Sequence, residues 1–217
     1  MTTRQTVLFD LDGTLADTGP DLAFSLNRLL QEEHRPELPY ETIRPLVSQG
    51  GNALIQLGFN LLPEQPDFEP LRQRFLNLYE HNLCRHTQLF NGMNKVLDIL
   101  DQRRIRWGIV TNKPGWLTTP LIKQLHLDTR IASLISGDSL PQRKPSPEPM
   151  LVACQQAGGQ ADNCLTIGDH QRDIEAANRA GMRSLAACWG YLSDTDTPEK
   201  WGATALIQRP VELLDWL

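Results

Sequence analysis

Two carboxylates stand two residues apart in Asp10-Leu11-Asp12-Gly13-Thr14, directly after the apolar run Thr6-Val7-Leu8-Phe9. At a strand end, residues i and i+2 project to one side, so Asp10 and Asp12 would share a pocket while Leu11 points away. Two like charges about 4 Å apart at an effective dielectric of about 20 repel by roughly 4 kcal/mol. Such a pair needs a cation or a proton between its members, and oxygen-only ligands make Mg²⁺ the natural cation. Gly168-Asp169-His170-Gln171-Arg172-Asp173 adds two more acids, Asp169 at a strand end and Asp173 entering the next helix. Three or four carboxylates could then face one metal. Both motifs also have purely structural readings. Asp12 with Gly13 fits a capped turn, and Asp169 with Asp173 fits capping of a helix whose first turn favours acids.

Thr111-Asn112-Lys113 offers a hydroxyl and free backbone N–H groups, the donors a phosphate wants near a helix N-terminus. Lys144 lies in Arg143-Lys144-Pro145-Ser146-Pro147, where Pro145 biases the preceding residue toward extended backbone and so gives the ammonium a fixed direction. Beside the carboxylates it would offset their charge and bind a phosphate oxygen. Taken singly, Thr111-Asn112 also reads as a turn and Lys144 as a solvated surface lysine. Of the His 5, only His170, inside an acidic motif, is a functional candidate. Ser48-Gln49-Gly50-Gly51 could approach a substrate, and a helix break explains it equally well.

These residues need elements to bring them together. Helical spacing predicts helices over 20–33 and 68–84, with shorter pieces between them broken by Pro36, Pro39, Gly50-Gly51, Pro63 and Pro66. After Asn91-Gly92, strands predicted over 107–110, 131–135, 164–167, 184–188 and 205–207 alternate with helices over 93–102, 116–125, 148–157 and 173–180, and a short helix closes the chain. That alternation implies an α/β fold with a parallel, Rossmann-like sheet. The first strand needs the sheet for burial, so residues 17–86 are expected to form a small all-helical domain inserted after it, and 1–16 with 87–217 the core. Open parallel sheets bind ligands at the carboxyl ends of their strands, where Asp10, Thr111-Asn112 and Gly168-Asp169 all fall.

The 217 residues, 40% apolar and 22% charged, are globular in composition and exclude dominant disorder. A net charge of -5 gives no basic footprint for nucleic acid or an anionic bilayer, so neither is expected as a partner. With no long apolar window and no signal pattern at the N-terminus, a cytoplasmic location is expected. The Cys 4 are scattered without a CxxC pair and read as small buried hydrophobes.

Taken in order, Asp-Leu-Asp-Gly-Thr, Val-Thr-Asn-Lys, Arg-Lys-Pro-x-Pro and Ile-Gly-Asp-x-x-x-Asp resemble the four signatures of the haloacid dehalogenase superfamily. The helical insertion resembles that family's cap. The resemblance implies Asp10 as the nucleophile that attacks phosphorus, and Asp12 as the general acid and base. It implies Thr111 and Lys144 as holders of the phosphoryl oxygens, with Asn112 and Gly13 beside them. It also implies Mg²⁺ bound by Asp10, Asp169 and the Asp12 backbone carbonyl, with Asp173 assisting. Asp12 and the downstream acidic pair argue for phosphate chemistry, since a dehalogenase has no alkoxide to protonate. His170 stands where many relatives carry Ser or Asp.

Within the superfamily the chain resembles the phosphoglycolate phosphatase group. The strings 107–114, 140–145, 189–191 and 201–203 are similar to N-acetylmuramic acid 6-phosphate phosphatases of bacterial cell-wall recycling. The implied enzyme is a Mg²⁺-dependent phosphoric monoester hydrolase, monomeric or homodimeric, acting on a small-molecule phosphate ester. Arg44, Ser48, Gln49 and Asn52 are the residues expected to face the leaving group. A phosphosugar mutase and a phospho-accepting receiver are the other readings, the latter disfavoured by the immediate Asp-x-Asp-Gly-Thr.

Overall fold

Val7, Leu8 and Phe9 are all buried, and a strand with both faces buried must lie inside a covered sheet. The structure, a computed structural model, describes residues 5–217. In chain order its elements are β1 (Thr6–Phe9), β2 (Ala16–Asp17), α1 (Gly19–Glu32), α2 (Tyr40–Ile43), α3 (Gly51–Phe59), α4 (Phe68–His81), β3 (Gln88–Leu89) and α5 (Met93–Gln102). There follow β4 (Arg106–Val110), α6 (Gly115–Gln124), β5 (Ser133–Ile135), α7 (Glu148–Gln156), β6 (Cys164–Gly168), α8 (Gln171–Arg179), β7 (Arg183–Ala187) and β8 (Ala205–Ile207). Six strands form one parallel sheet in the order β5-β4-β1-β6-β7-β8. The expected α/β fold is therefore present.

Strand β1 sits between β4 and β6, with Phe9 level with Ile109 on one side and Ile167 on the other. From β1 the chain runs outward through β4 and β5, returns to β6, and then runs outward the other way. Such a reversal parts the connections and opens a crevice at the carboxyl ends of the central strands. Alternate β1 side chains feed two cores. Val7 and Phe9 join the core that includes Trp107, Leu97 and Leu121, while Leu8 joins that of Met150, Ala153 and Ala177. Phe9 and Trp107 meet edge to face with ring centroids 6.1 Å apart. Burying a side chain such as Phe9 contributes roughly 1.5–3 kcal/mol, enough to hold β1 at the centre despite its short length.

Helices α1, α3 and α4 lie outside the sheet and pack on one another through Leu26, Leu29, Leu54, Ile55, Phe75 and Tyr79. The chain leaves and re-enters the sheet region through an antiparallel ribbon, Ala16 opposite Leu89 and Asp17 opposite Gln88. Spacing alone did not predict this ribbon, because two-residue strands carry no periodicity. Asp21, fully buried at the start of α1, locks it: Oδ1 accepts from the His86 N–H (2.8 Å), and Oδ2 from the Thr87 N–H (3.0 Å) and hydroxyl (2.7 Å).

Two expectations need correction. The closing segment Pro210–Trp216 is a 3₁₀ helix, and only Cys154 and Cys164 are buried, Cys84 and Cys188 being half-buried. Among the described residues no helix is long and apolar enough to cross a membrane.

Asp21→Ala would strand the buried Thr87 donors. Urea unfolding should show a loss of roughly 1–3 kcal/mol with an unchanged m-value, and unaltered stability would show the lock to be idle.

Candidate active site

Asp10, Thr111 and Asp169 each follow the last residue of a neighbouring strand, β1, β4 and β6, so the sheet itself sets them side by side. The Asp10 N–H still reaches Ile167 O at 2.9 Å, and the Thr111 N–H reaches Ile135 O at 2.9 Å, which anchors both at the rim. Lys144 is 2% exposed, contrary to its reading as a surface lysine. Its ammonium donates to Asp10 Oδ1 (2.7 Å) and the Val110 carbonyl (2.6 Å) and pairs with Asp173 Oδ1 (2.8 Å).

Asp10, Asp169 and Asp173 are all buried, with carboxylate oxygens within 4.8 Å of one another. Burial pushes the Asp10 carboxyl up to about 7, Lys144 partly opposing this and Asp173 and Asp169 reinforcing it. Burial, then Asp173, raises Asp169 to about 6 against hydrogen bonds from Ser48, Tyr191 and Thr14. Asp173 moves the other way. Burial would raise it, but Lys144 and Arg172 outweigh burial and hold it below the ordinary value. Three carboxylates against these two cations leave a negative charge uncompensated, and an oxygen-only donor set suits a hard divalent ion. The residues present fit such a cation.

Asp169 is held on every side. Oδ1 accepts from Thr14 Oγ1 (3.0 Å), and Oδ2 from the Tyr191 N–H (3.0 Å) and Ser48 Oγ (2.6 Å). Gly13, at φ +89°, lies so close that a Cβ there would stand 2.2 Å from Asp169 Oδ2, so its role is space rather than contact. His170 is the N-cap of α8. Its ring accepts from the Arg172 N–H (3.2 Å), Asp173 Oδ2 accepts the His170 N–H (3.1 Å), and the ring stacks on Trp201. Asp173 combines two contacts: Oδ2 takes part in capping the helix, while Oδ1 faces Lys144.

Asp12 points into the same cleft as Asp10. Its Oδ1 accepts from Thr18 Oγ1 (2.6 Å) and Lys113 Nζ (2.9 Å), so its carboxylate stands apart from the three-carboxylate cluster. Lys113 has a side chain only 6% exposed, seated 4.4 Å above the Tyr79 ring centroid. Burial would lower its pKa, but Asp12 and Tyr79 more than offset this and keep it a cation.

Of the backbone donors expected after β4, the Lys113 N–H is used by Thr111 Oγ1 (3.1 Å), and that of Asn112 has no partner among the described residues. The Thr111 hydroxyl thus accepts one bond and keeps its proton to donate. Asn112 Nδ2 donates to the Lys144 carbonyl (3.0 Å), while Oδ1 is buried without a partner among the described residues.

The cleft measures about 420 Å³. It is lined by Asp10, Asp12, Thr111, Asn112 and Lys144 on the sheet side and by Ser48, Gln49, Asn52, Arg72, Phe75 and Tyr79 of the helical segment. Arg44 is turned elsewhere: it donates to the Trp189 carbonyl (3.1 Å) and lies over the Tyr191 ring. Ser48 also joins the two parts, since Arg172 donates to its carbonyl. The spacing argument missed Lys113, Arg72, Arg143 and Arg172, all of which line the cleft. Arg143 and Arg172 adjoin recognised motifs, but Arg72 sits mid-helix with no local signal.

The family model for haloacid dehalogenase-like hydrolases matches residues 7–187. A phosphoglycolate phosphatase of Xanthomonas campestris pv. campestris (strain 8004) is 44% identical over 95% of this chain and 93% of its own length. An N-acetylmuramic acid 6-phosphate phosphatase of Pseudomonas putida is 39% identical over the same shares. The crystal structure of a predicted phosphoglycolate phosphatase from Haemophilus somnus 129PT superposes with a TM-score of 0.87 at 26% identity, covering 100% of this chain and 99% of that one.

Asp10 and Asp169 keep protons in the folded chain up to about 7 and about 6, whereas an unfolded carboxyl releases them near 3.8. The folded state binds more protons in that window, so without a divalent cation stability falls as pH rises through it. A cation competes with those protons. Mg²⁺ should therefore raise Tm more at about pH 7.5 than at about pH 5, and equal shifts in a thermal scan would contradict the cluster as its site.

Proposed function

We propose that this chain, which belongs to the haloacid dehalogenase-like hydrolase family, is a Mg²⁺-dependent phosphomonoesterase that forms an aspartyl-phosphate on Asp10 and acts on N-acetylmuramic acid 6-phosphate. The observation that carries it is the single cleft in which a Lys144-held Asp10, a separate Asp12 and the donors of Thr111 and Asn112 converge. Phosphoryl transfer is mostly positioning and charge neutralisation, and this arrangement provides both.

Asp10 attacks phosphorus in line with the ester oxygen, and the bond to that oxygen breaks as Asp12 protonates it. Lys144, the Thr111 hydroxyl and the free Asn112 N–H receive the phosphoryl oxygens. Lys113 and Thr18 keep the Asp12 carboxylate aimed at the departing oxygen. After the alcohol leaves, Asp12 takes a proton from water as that water attacks phosphorus. The Asp10–phosphorus bond then breaks and frees phosphate and carboxylate. Asp10, Asp169 and the Asp12 carbonyl, with Asp173 assisting, would hold Mg²⁺, which would supply positive charge for an anionic nucleophile to approach an anionic phosphate. Residues 17–86 serve as a cap over a core of 1–16 and 87–217, excluding bulk water.

The cleft volume favours a sugar-sized leaving group, because a two-carbon acid would leave much of it to water. The 44% identity to a phosphoglycolate phosphatase supports 2-phosphoglycolate as the second reading.

Phosphate release from N-acetylmuramic acid 6-phosphate, 2-phosphoglycolate and common sugar phosphates, with and without Mg²⁺, decides between them. Asp10→Asn should abolish release and Asp12→Asn should slow it roughly 10²- to 10⁴-fold with folding intact. Wild-type turnover in either variant overturns its role, and bisphosphate-dependent turnover without free phosphate would indicate a mutase.

A further inference from the structure

We propose that Arg72 binds a carboxylate on the leaving group, so that the preferred substrates carry a free acid as well as the phosphate; this rests on the phosphomonoesterase reading above. Two of the other cations lining the cleft are fully engaged, and a third adjoins the carboxylate cluster. Lys144 serves Asp10, Asp173 and the Val110 carbonyl, Lys113 is paired with Asp12 over Tyr79, and Arg172 donates to the Ser48 carbonyl beside the carboxylate cluster.

Arg72 differs from them in place and in pairing. It lines the cleft from α4, on the helical wall. Its Nε donates to the neutral Asn52 Oδ1 at 2.8 Å, which fixes the guanidinium plane. Nη1 meets Glu69 Oε1 at 2.9 Å, but that glutamate is 66% exposed, and a pair so open to water contributes little. Nη2 has no partner among the described residues. A substrate carboxylate that displaces Glu69 would engage Nη1 and Nη2 together, the paired geometry in which guanidinium binds carboxylate best. Arg143, which also lines the cleft and whose guanidinium has no partner among the described residues, adds positive potential there. Both substrates proposed above satisfy this chemistry. Phosphoglycolate is itself an acid, and N-acetylmuramic acid 6-phosphate carries its acid on a lactyl arm that can extend away from the phosphate.

The test is a matched pair, N-acetylmuramic acid 6-phosphate and N-acetylglucosamine 6-phosphate, which differ only in the lactyl ether. Wild-type kcat/KM should favour the acid, and in Arg72→Gln that preference should shrink by about 10- to 100-fold, mainly through KM, as expected for losing a charged hydrogen-bond pair. Arg72→Lys should restore part of it. An undiminished preference in Arg72→Gln, or no preference in the wild type, with brisk phosphate release overturns the inference and leaves the phosphomonoesterase reading standing. Release from neither of these nor from 2-phosphoglycolate overturns both.

Discussion

A lysine ammonium buried to 2% exposure among Asp10, Asp173 and the Val110 carbonyl is the contact on which the rest of the site depends. Burying an isolated charge costs many kcal/mol, and three clustered carboxylates would be prohibitive without compensation. Lys144 supplies it from a loop after β5, and so ties β1, β4 and the start of α8 to one point. The compensation is incomplete: burial, reinforced by the neighbouring carboxylates, still pushes Asp10 up to about 7 and Asp169 to about 6, and a divalent cation would favour their ionised forms.

That arrangement needs the topology it sits on. With β1 flanked by β4 and β6, the carboxylates and the Thr111 hydroxyl emerge at the point where the chain's connections part. The glycines around Asp169 make room for the same cluster. A Cβ on Gly13 or Gly190 would each stand 2.2 Å from an Asp169 side-chain atom, so the carboxylate is packed as tightly as a core residue although it serves a polar site.

Polar links join the helical segment to this centre. Ser48 donates to Asp169 and accepts from Arg172, and Tyr191 connects the site to the ribbon by donating its N–H to Asp169 and its hydroxyl to Asp17. Polar links of this kind are modest in net energy, and they add to an apolar cluster that runs through both parts, with Phe9, Trp107 and Leu117 on one side and Leu26, Phe75 and Tyr79 on the other. The helical segment and the strand-end residues therefore meet at one carboxylate, Asp169.

The alternation of strands and helices, the positions of all six sheet strands within a residue or two, and the acidic pairs at strand ends were legible in the sequence, because burial on two faces leaves a local apolar signature and strand ends are punctuated by polar residues. Asp10, Thr111 and Asp169 could be picked out for the same reason, and Asp12, Lys144 and Asp173 from the motifs around them. Other features have no local signature. The Ala16–Asp17 ribbon is too short for periodicity, Arg44 turns to Trp189 instead of the cleft, and the pairing of Lys113 with Asp12 spans 101 residues of chain. Arg72 looks like any solvated helix residue until α4 is packed beside α3 and its Asn52. Residue type and spacing along one strand end determine what chemistry is available, whereas which distant cations meet it, and which stay free for a ligand, is decided only when the helices and loops are packed in three dimensions.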